Sequence, residues 1–358
     1  MPSFPYTTLV EVTRGPVIES VHVGALAVVD AAGRLIASAG DPYLITYLRS
    51  SSKPLQVLPL LEHGGADTFN LTDKEIALMC ASHSGTDEHA ETVTALQTKI
   101  GASESDLLCG VHAPMHQPTA DAMLARGEPF TANRHNCSGK HTGFLASAIL
   151  HKESKEDYIN PEHPVQQMII QTFAEMTGYP REKIAIGVDG CSAPVFAVPL
   201  YNAALGFARL CDPKDLPAAR AAACRRVTRA MPAHPFMVAG PERFDTIAMQ
   251  LGGGRFVAKG GAEGYQAIGI LPGALGEGSP ALGIAFKIAD GDLTGRARPL
   301  VSIEILRQLG LLSDADIAGP LAHLAARPVT NWRDLKVGEL SPAFKLDWSA
   351  LQQWVSVV

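Results

Sequence analysis

The sequence predicts an α/β protein whose central sheet is built from both ends of the chain around a helical middle region. Residues 7–38 carry strand signals, and short β-like runs return at 255–259, 265–270 and 282–289. Residues 50–230, between these two groups, are mostly helical by their start and stop signals. Strands at both ends with helices between them indicate one sheet, covered on one side by the helices.

Turn sequences separate the predicted strands. In the first group, the apolar runs 25–29 and 35–37 flank residues 30–34, whose Gly33 completes a hairpin signal. In the second group, Gly-rich segments divide the β-like runs. These turns predict several short strands rather than a few long ones.

Helix signals divide the middle of the chain. The strongest is Thr72-Asp73-Lys74-Glu75, a capping box ahead of an apolar run. That helix is expected to end near Ser82, which places Ser82, His83 and Ser84 on a loop. Further helices are predicted at 50–63, 86–100, 140–152, 161–177, 214–230 and 297–309.

The length of 358 residues allows one large domain or two lobes. We expect a single domain over residues 1–358, because no segment has the composition of a linker. Within it we expect two soft lobes. Residues 1–60 and 235–358 would form the sheet lobe, and residues 61–234 a mostly helical lobe.

Composition excludes several functional classes. The net charge of −6 and the isoelectric point near 6.1 argue against a nucleic-acid or anionic-membrane surface. No apolar run reaches the ~18 residues that span a bilayer. The segment Met1-Pro2-Ser3-Phe4-Pro5 lacks the features of an export signal, and six cysteines in so long a chain are not typical of a disulfide framework. We therefore expect a protein of the reducing cytoplasm.

A first catalytic signal is the pair Ser50 and Lys53. Residues three apart on a helix share one face, so the two side chains are expected to meet. A lysine whose charged form is disfavoured by burial or by another cation can take the serine proton. Arg49 adds positive charge that could lower a lysine pKa or hold an anionic substrate. Alternatively, Ser50 is a helix N-cap and Arg49 a surface ion pair.

A second possible serine–lysine pair, Ser82 and Lys259, can form only through folding. Gly260 and Gly261 follow the lysine and would allow close approach to a substrate, with N–H groups available for an oxyanion. The alternative is an exposed lysine at a glycine turn. The order of Ser-x-x-Lys, Ser-x-Ser and Lys-Gly-Gly is similar to that of three motifs in serine β-lactamases and penicillin-binding proteins.

Two polar clusters each contain a cysteine: Cys137 within residues 135–141, and Cys191 close to Asp189. As thiolates, these cysteines could bind Zn²⁺, with His141 or Asp189 as the ordinary third ligand. The spacing matches no standard zinc finger.

Two other interpretations of the cysteines remain open: they are buried small hydrophobes, or Cys137 is a thiol nucleophile beside His135. Residues 234–237 and 240–245 also contain polar side chains. These could line the cleft, but a loop followed by a helix start explains them equally well.

Taken together, these segments resemble the Rhizobium-type L-asparaginases, a family separate from the threonine-dependent bacterial enzymes. The similar stretches extend over nearly the whole chain, at residues 49–54, 81–85, 135–142, 187–191 and 258–264. The resemblance implies a three-layer αβα fold with a mainly antiparallel central sheet, as in serine β-lactamases. It also implies a homodimer that hydrolyses L-asparagine to L-aspartate and ammonia.

The resemblance further implies roles for individual residues. Ser50–Lys53 and Ser82–Lys259 would be two catalytic serine–lysine tandems. One Zn²⁺ per subunit would support substrate binding rather than form the nucleophile. Its ligands would be Cys137, Lys140 and Cys191 with a water, oriented by His141 and Asp189. The residues expected to contact the substrate are Arg49, His83, Asn136, Gly260 and Gly261.

The mechanism expected from the sequence begins at Ser50. Lys53, neutral because Lys259 and Arg49 crowd it with positive charge, would deprotonate Ser50. Ser50 would attack the side-chain amide carbon of asparagine, and Ser82 would pass a proton to the departing ammonia. The alternatives are a serine esterase or D,D-peptidase of the same fold, and a non-catalytic protein that binds zinc or an amino acid.

Overall fold

The computed structural model describes residues 4–354 and confirms the predicted α/β class. Its strands are β1 (Thr7–Arg14), β2 (Val17–Asp30), β3 (Leu35–Ala39), β4 (Ile45–Tyr47), β5 (Ala185–Val188), β6 (Pro194–Pro199), β7 (Phe256–Gly260), β8 (Tyr265–Ile270), β9 (Leu282–Ile288), β10 (Arg327–Thr330) and β11 (Lys336–Pro342).

The α-helices are α1 (Lys53–Gln56), α2 (Leu58–Glu62), α3 (Gly65–Thr68), α4 (Asp73–Met79), α5 (Asp87–Ile100), α6 (Gln117–Ala125), α7 (Ser138–His151), α8 (Pro164–Thr177), α9 (Leu200–Cys211), α10 (Ala218–Ala233), α11 (Pro235–Ala239), α12 (Phe244–Gly252), α13 (Ala297–Gln308) and α14 (Asp314–Ala318). None of those formed within residues 4–354 combines the length and hydropathy needed to cross a bilayer.

The main sheet has the strand order β10-β11-β1-β2-β9-β8-β7, with β3 paired to β2. Every pair of neighbouring strands in it is antiparallel. The N-terminal strands lie between strands from the later part of the chain: β1 pairs with β11, and β2 pairs with β9, with Gly24 opposite Ile288. The prediction of one antiparallel sheet built from both ends of the chain is therefore confirmed.

Helices cover both faces of this sheet. On β8, a Cβ atom at Gly269 would lie 2.6 Å from the sulfur of Cys211 in α9, so this residue faces α9. Gln266 lies three positions earlier and therefore points to the other face, where Arg298 of α13 donates to its Oε1. The sheet lies between α9 and α13, which agrees with the expected three layers.

Most predicted helices occur within a few residues of their expected bounds. The capping box is present: the Thr72 hydroxyl accepts from the Glu75 amide, and the Glu75 carboxylate accepts from the Thr72 amide. The predicted helix 50–63 is instead a 3₁₀ turn, Arg49–Ser52, followed by α1 and α2. Pro54 and Pro59 explain the division, because neither has an N–H to continue a helix.

Several elements are not predicted from the sequence. The middle region contains a second, three-stranded sheet of order β4-β6-β5, of which only the strand-like run 184–188, corresponding to β5, is evident in the sequence. Strand β6 is buried along its whole length, so it lacks the alternation that identifies a half-buried strand. Helix α9 and strands β10 and β11 were also not predicted. The division into two soft lobes stays a prediction.

Candidate active site

Ser82 lies on the loop that follows α4, as the capping box predicted. The loop is fixed by backbone contacts, since the Ser82 amide donates to the Val238 carbonyl over 2.9 Å. The Ser82 side chain is 7% exposed and reaches the interface between the helices and the main sheet.

Lys259 reaches Ser82 from strand β7. In the pairing of β7 with β8, Lys259 lies opposite Ala267, so the two side chains point to the same face of the sheet. Gly269, two residues after Ala267, points to that face as well, which is the face that packs against α9. Lys259 Nζ lies 3.0 Å from Ser82 Oγ and 2.6 Å from the Gly260 carbonyl oxygen. Folding thus brings together a serine and a lysine that are 177 positions apart.

Lys53, the first residue of α1, contacts the same hydroxyl from the other side. Its Nζ lies 2.9 Å from Ser82 Oγ, 2.5 Å from the Ala81 carbonyl oxygen and 3.1 Å from Cys137 Sγ. These three acceptors match the three N–H groups of an ammonium ion. Ser82 Oγ therefore lies between two buried amines.

The two amines differ in electrostatic environment. Burial lowers the pKa of Lys259 to about 7, helped by the positive charges of Lys53, Arg243 and Arg298 and opposed by Asp245. The role of Lys53 as the neutral base stays a prediction from the sequence, and the lysine whose pKa burial lowers is Lys259.

The Ser50 hydroxyl takes no part in these hydrogen bonds. Within residues 4–354 it has no hydrogen-bond partner, so the expected Ser50–Lys53 side-chain pair is not hydrogen-bonded there. The 3₁₀ turn directs Lys53 Nζ toward the loop at residues 81–82. Arg49, just before Ser50, has a φ of 51°, a left-handed conformation that costs a non-glycine residue free energy.

Cys137, Lys140 and Cys191 form a group, the cysteine cluster, that lies beside Lys53. Lys140 Nζ is 3.0 Å from Cys191 Sγ. A hydrogen bond from Cys191, together with the charges of Lys53 and Lys140, holds the pKa of the Cys137 thiol well below its usual range despite burial. Burial opposes the charged form of Lys140, but Cys191 and Cys137 outweigh it and raise the pKa of Lys140.

Helix α7 brings Lys140 to this cluster because Gly139 allows close packing. A Cβ atom at Gly139 would lie 2.3 Å from the Leu78 carbonyl oxygen of α4. The residue at this position must therefore lack a side chain for α7 to lie against α4. That contact holds Cys137 and Lys140 next to the loop that carries Ser82.

The donor set of the cluster fits a zinc ion, provided that Lys140 releases its proton. Two thiols and an amine supply sulfur and nitrogen donors, which Zn²⁺ accepts in a tetrahedral site. Across residues 4–354, no three His, Cys, Asp or Glu side chains are arranged as a metal site. His141 hydrogen bonds through Nδ1 to the Tyr158 hydroxyl over 2.8 Å, while its buried Nε2 has no partner.

The predicted substrate-binding residues differ in how they are engaged. Arg49 Nε donates to Asp189 Oδ1 over 2.8 Å, and Lys140 and Arg49 together lower the pKa of Asp189 although burial opposes this. His83 uses both ring nitrogens inside the protein, toward Ser138 Oγ and the Gly85 amide. The half-buried Asn136 donates its backbone N–H to His112 Nε2 over 3.1 Å.

The two glycines after Lys259 require a correction. They were expected to offer N–H groups to an oxyanion. The Gly260 amide donates to Asp245 Oδ2 over 2.7 Å, and the Gly261 amide donates to the Tyr265 carbonyl over 2.8 Å. Both donors are therefore engaged within the protein, and they close the end of strand β7 rather than face a substrate.

Asp245 is the main residue whose contacts the sequence analysis missed. It is 3% exposed, and its carboxylate accepts from the Gly260 amide and from Gln266 Nε2. The only sequence signal was an acidic residue in the first turn of a helix, within the ambiguous segment 240–245. Nothing local shows that this carboxylate lies behind a lysine 14 positions later.

The chain is similar to several solved structures. One is the glutaminase YbgJ of Bacillus subtilis in covalent complex with 5-oxo-L-norleucine, with 12% identity and a TM-score of 0.38, covering 80% of this chain and 88% of that chain. Another is a Bacillus glutaminase in 4.3 M NaCl, with 12% identity and a TM-score of 0.38, covering 80% and 91%. No curated protein sequence matches the chain.

The family assignment comes from the sequence over almost its whole length. The sequence model of L-asparaginase II matches residues 10–342 of the 358. This range includes Lys53, Ser82 and Lys259. The match confirms the predicted family and its amidohydrolase chemistry: the chain belongs to the L-asparaginase II family.

Proposed function

We propose that the protein hydrolyses L-asparagine to L-aspartate and ammonia, with Ser82 as the nucleophile and Lys259 as its general base. One observation carries this assignment of roles: Ser82 Oγ lies 2.9 Å from Lys53 Nζ and 3.0 Å from Lys259 Nζ. No other hydroxyl among residues 4–354 is held between two lysines.

The contacts support a specific placement of protons. Lys53 Nζ donates to the Ala81 carbonyl, to Cys137 Sγ and to Ser82 Oγ. A neutral Lys259 donates one N–H to the Gly260 carbonyl, and its lone pair accepts the Ser82 hydroxyl proton. The serine proton is thus already directed at the base.

The reaction then proceeds in two steps. Ser82 Oγ forms a bond to the amide carbon as its proton moves to Lys259 Nζ. Lys259 returns that proton to the amide nitrogen, the C–N bond breaks, and ammonia leaves an acyl-enzyme ester on Ser82. A water molecule then attacks the ester with Lys259 again as base, which releases L-aspartate and restores the hydroxyl.

A backbone donor is available for the oxyanion. The amide of His83 directly follows the proposed nucleophile, and within residues 4–354 it donates to no acceptor. The residue after a nucleophilic serine supplies an oxyanion donor in other serine hydrolases as well. The charge of Lys53 would add electrostatic stabilisation on the same side.

The decisive experiment compares Ser82→Ala with Ser50→Ala. Ammonia release from L-asparagine is measured for both, and acyl-enzyme is sought by mass spectrometry of peptides after rapid acid quench. We expect Ser82→Ala to lower kcat by about 10⁴-fold and the acyl group to be found on Ser82. An adduct on Ser50, with ester formation persisting in Ser82→Ala, would assign the nucleophile to Ser50 instead.

We further propose that zinc binds at the cysteine cluster and supports substrate binding. Cys137, Cys191 and a deprotonated Lys140 would hold it, with Asp189 and His141 close to these ligands. Zinc there would supply a positive charge for an anionic or amide oxygen of the substrate. The lowered pKa of the Cys137 thiol supports this proposal, because a thiolate is the form that binds metal.

The family resemblance also supports a homodimer located in the cytoplasm. Within residues 4–354 all six cysteines are buried and free, which is typical of a reducing compartment. The sedimentation coefficient distinguishes dimer from monomer. A single species of 37.9 kDa would contradict the proposed assembly.

A further inference from the structure

A series of hydrogen bonds connects helix α13 to the proposed base. Arg298 Nη1 donates to Gln266 Oε1 over 2.5 Å, and Gln266 Nε2 donates to Asp245 Oδ1 over 3.0 Å. Asp245 Oδ2 accepts the Gly260 amide at 2.7 Å. The carbonyl of the same glycine accepts from Lys259 Nζ at 2.6 Å. Three side chains in series therefore hold Gly260, whose two peptide groups bond to Asp245 on one side and to the Lys259 amine on the other.

Gly260 also has a steric role in this series. A Cβ atom at this position would lie 2.4 Å from Arg298 Nη1 and 3.2 Å from Asp245 Oδ2. A side chain here would therefore force the guanidinium away from its present position. Strand β7 is the edge strand of the sheet, and the Gly260 amide donates to Asp245 rather than to a neighbouring strand.

The charge of Asp245 differs in sign from that of its ionised neighbours. Lys259 has cations on three surrounding elements: Lys53 on α1, Arg243 just before α12 and Arg298 on α13. The buried thiol of Cys80, at the end of α4, is kept neutral because burial raises its pKa to about 12. Asp245 is the carboxylate in this group.

We propose that Asp245 is a positioning residue of the reaction: it holds the Gly260 amide so that Lys259 reaches Ser82, and it places a negative charge beside the base. Its role depends on the proposed function, because it acts through Lys259. Transfer of the serine proton creates an ammonium ion among three other cations. The buried carboxylate offsets that repulsion in a region of low dielectric constant.

Two variants, one that removes a negative charge near Lys259 and one that removes a positive charge, test the proposal through the pH profile of kcat/KM. Asp245→Asn retains an acceptor for the Gly260 amide but removes the negative charge. We expect it to lower kcat and to move the acidic limb of the profile down by about one pH unit. Arg298→Gln removes a positive charge, and we expect the acidic limb to move up. Asp245→Glu restores the charge, and its limb should return toward that of the wild type.

Asp30→Asn is the matched control. Asp30 is also buried, at 2% exposure, and also accepts from a backbone amide and a side chain, both of Arg34. It lies at the hairpin between β2 and β3, so its variant should leave the acidic limb in place. Circular dichroism and the thermal midpoint of each variant are measured alongside.

The outcomes separate this proposal from the proposed function. If the wild-type profile has an acidic limb near pH 7, and if Lys259→Ala abolishes that limb, Lys259 is supported as the base. If Asp245→Asn and Arg298→Gln then lower activity equally at every pH, Asp245 has only a structural role and the proposal is overturned. Should Asp245→Asn fail to fold, Asp245→Glu decides: it keeps the charge but displaces the carboxylate, so a lowered kcat with the acidic limb in place supports the proposal, and a wild-type kcat would count against it.

Discussion

Lys259 and Lys53 are both 1% exposed, yet their surroundings differ in the number of acceptors. Lys53 contacts a carbonyl oxygen, a thiol sulfur and a hydroxyl. Lys259 contacts one carbonyl oxygen and the same hydroxyl. Burial penalises an ammonium ion unless acceptors replace its water shell, and Lys259, with few acceptors, has its pKa lowered by burial.

This difference predicts a pH dependence of activity. Burial lowers the pKa of Lys259 from 10.5 to about 7, so the neutral amine predominates above that pH and the ammonium ion below it. We expect kcat/KM for L-asparagine to rise about tenfold per pH unit below pH 7 and to level off above it. Ammonia release measured from pH 5 to pH 9 checks this.

Lys259→Arg provides the control for that profile. Arginine stays charged across the whole range and cannot act as a base. The variant should therefore be inactive at every pH. A rise in activity centred near pH 10 in the wild type would show that Lys259 has an ordinary pKa, and it would remove the basis for the assignment.

At the scale of residues, the sequence predicted which side chains would meet better than it predicted their other hydrogen-bond partners. Ser82 and Lys259 were recognised as a possible pair, and the structure brings them within 3.0 Å. The engaged amides of Gly260 and Gly261 could not be foreseen, because their acceptors come from α12 and β8. Proton placement depends on such acceptors and not on residue type.

At the scale of elements, close packing between α9 and the main sheet determines the position of β8 and β9. Gly283 of β9 lies directly beneath the helix, and a Cβ atom there would lie 1.7 Å from the Ala204 carbonyl oxygen. Gly269 of β8 has a similar contact with Cys211. Since β7 pairs with β8, this packing also sets the position from which Lys259 extends.

Gly283→Ala tests this packing. The added methyl group overlaps backbone atoms of α9, so the helix or the strand must move. We expect the free energy of unfolding to fall by about 1–3 kcal/mol, measured by urea titration, and activity to fall with the displacement of the sheet. Gly190→Ala is the control, because a Cβ atom at that exposed glycine meets nothing within 4 Å. Equal stability of the two variants would contradict the expected overlap.

Elements with local signals were predicted well, including the buried strands β7 and β8 beside their Gly-rich turns, whereas the buried strand β6 was not predicted. The capping box of α4 depends on residues three apart, so the sequence shows it directly. Strand β6 has no polar face and is read equally well as a piece of buried helix. Its partners β4 and β5 come from positions about 140 residues apart in the chain, which no local pattern connects.

For the whole molecule, the cysteine cluster joins two distant parts of the chain. Cys137 and Lys140 belong to the start of α7, and Cys191 follows β5. A metal bound to both parts exists as a site only in the folded state. Binding of this kind increases the free energy of unfolding, by about 2.7 kcal/mol at a free metal concentration of 100 Kd.

Zinc titration tests the proposed metal site without relying on activity. We expect one equivalent of Zn²⁺ per chain by atomic absorption after gel filtration, and a higher thermal midpoint than after chelation. Cys191→Ser should lose both effects, since it removes one sulfur ligand. Cys224→Ser is the control, because that thiol is buried elsewhere in α10. Equal zinc content in the wild type and Cys191→Ser would place the metal outside this cluster.

The sequence by itself determined the α/β class, the family and the residues of the two candidate clusters, because these follow from residue type, local spacing and motif order. Only the tertiary structure decided which hydroxyl lies between the two lysines, which lysine has the lowered pKa and which carboxylate stands behind it. The physical reason is that burial and hydrogen-bond partners control the charge of an amine. Both come from elements that are far apart in the chain and meet only on folding.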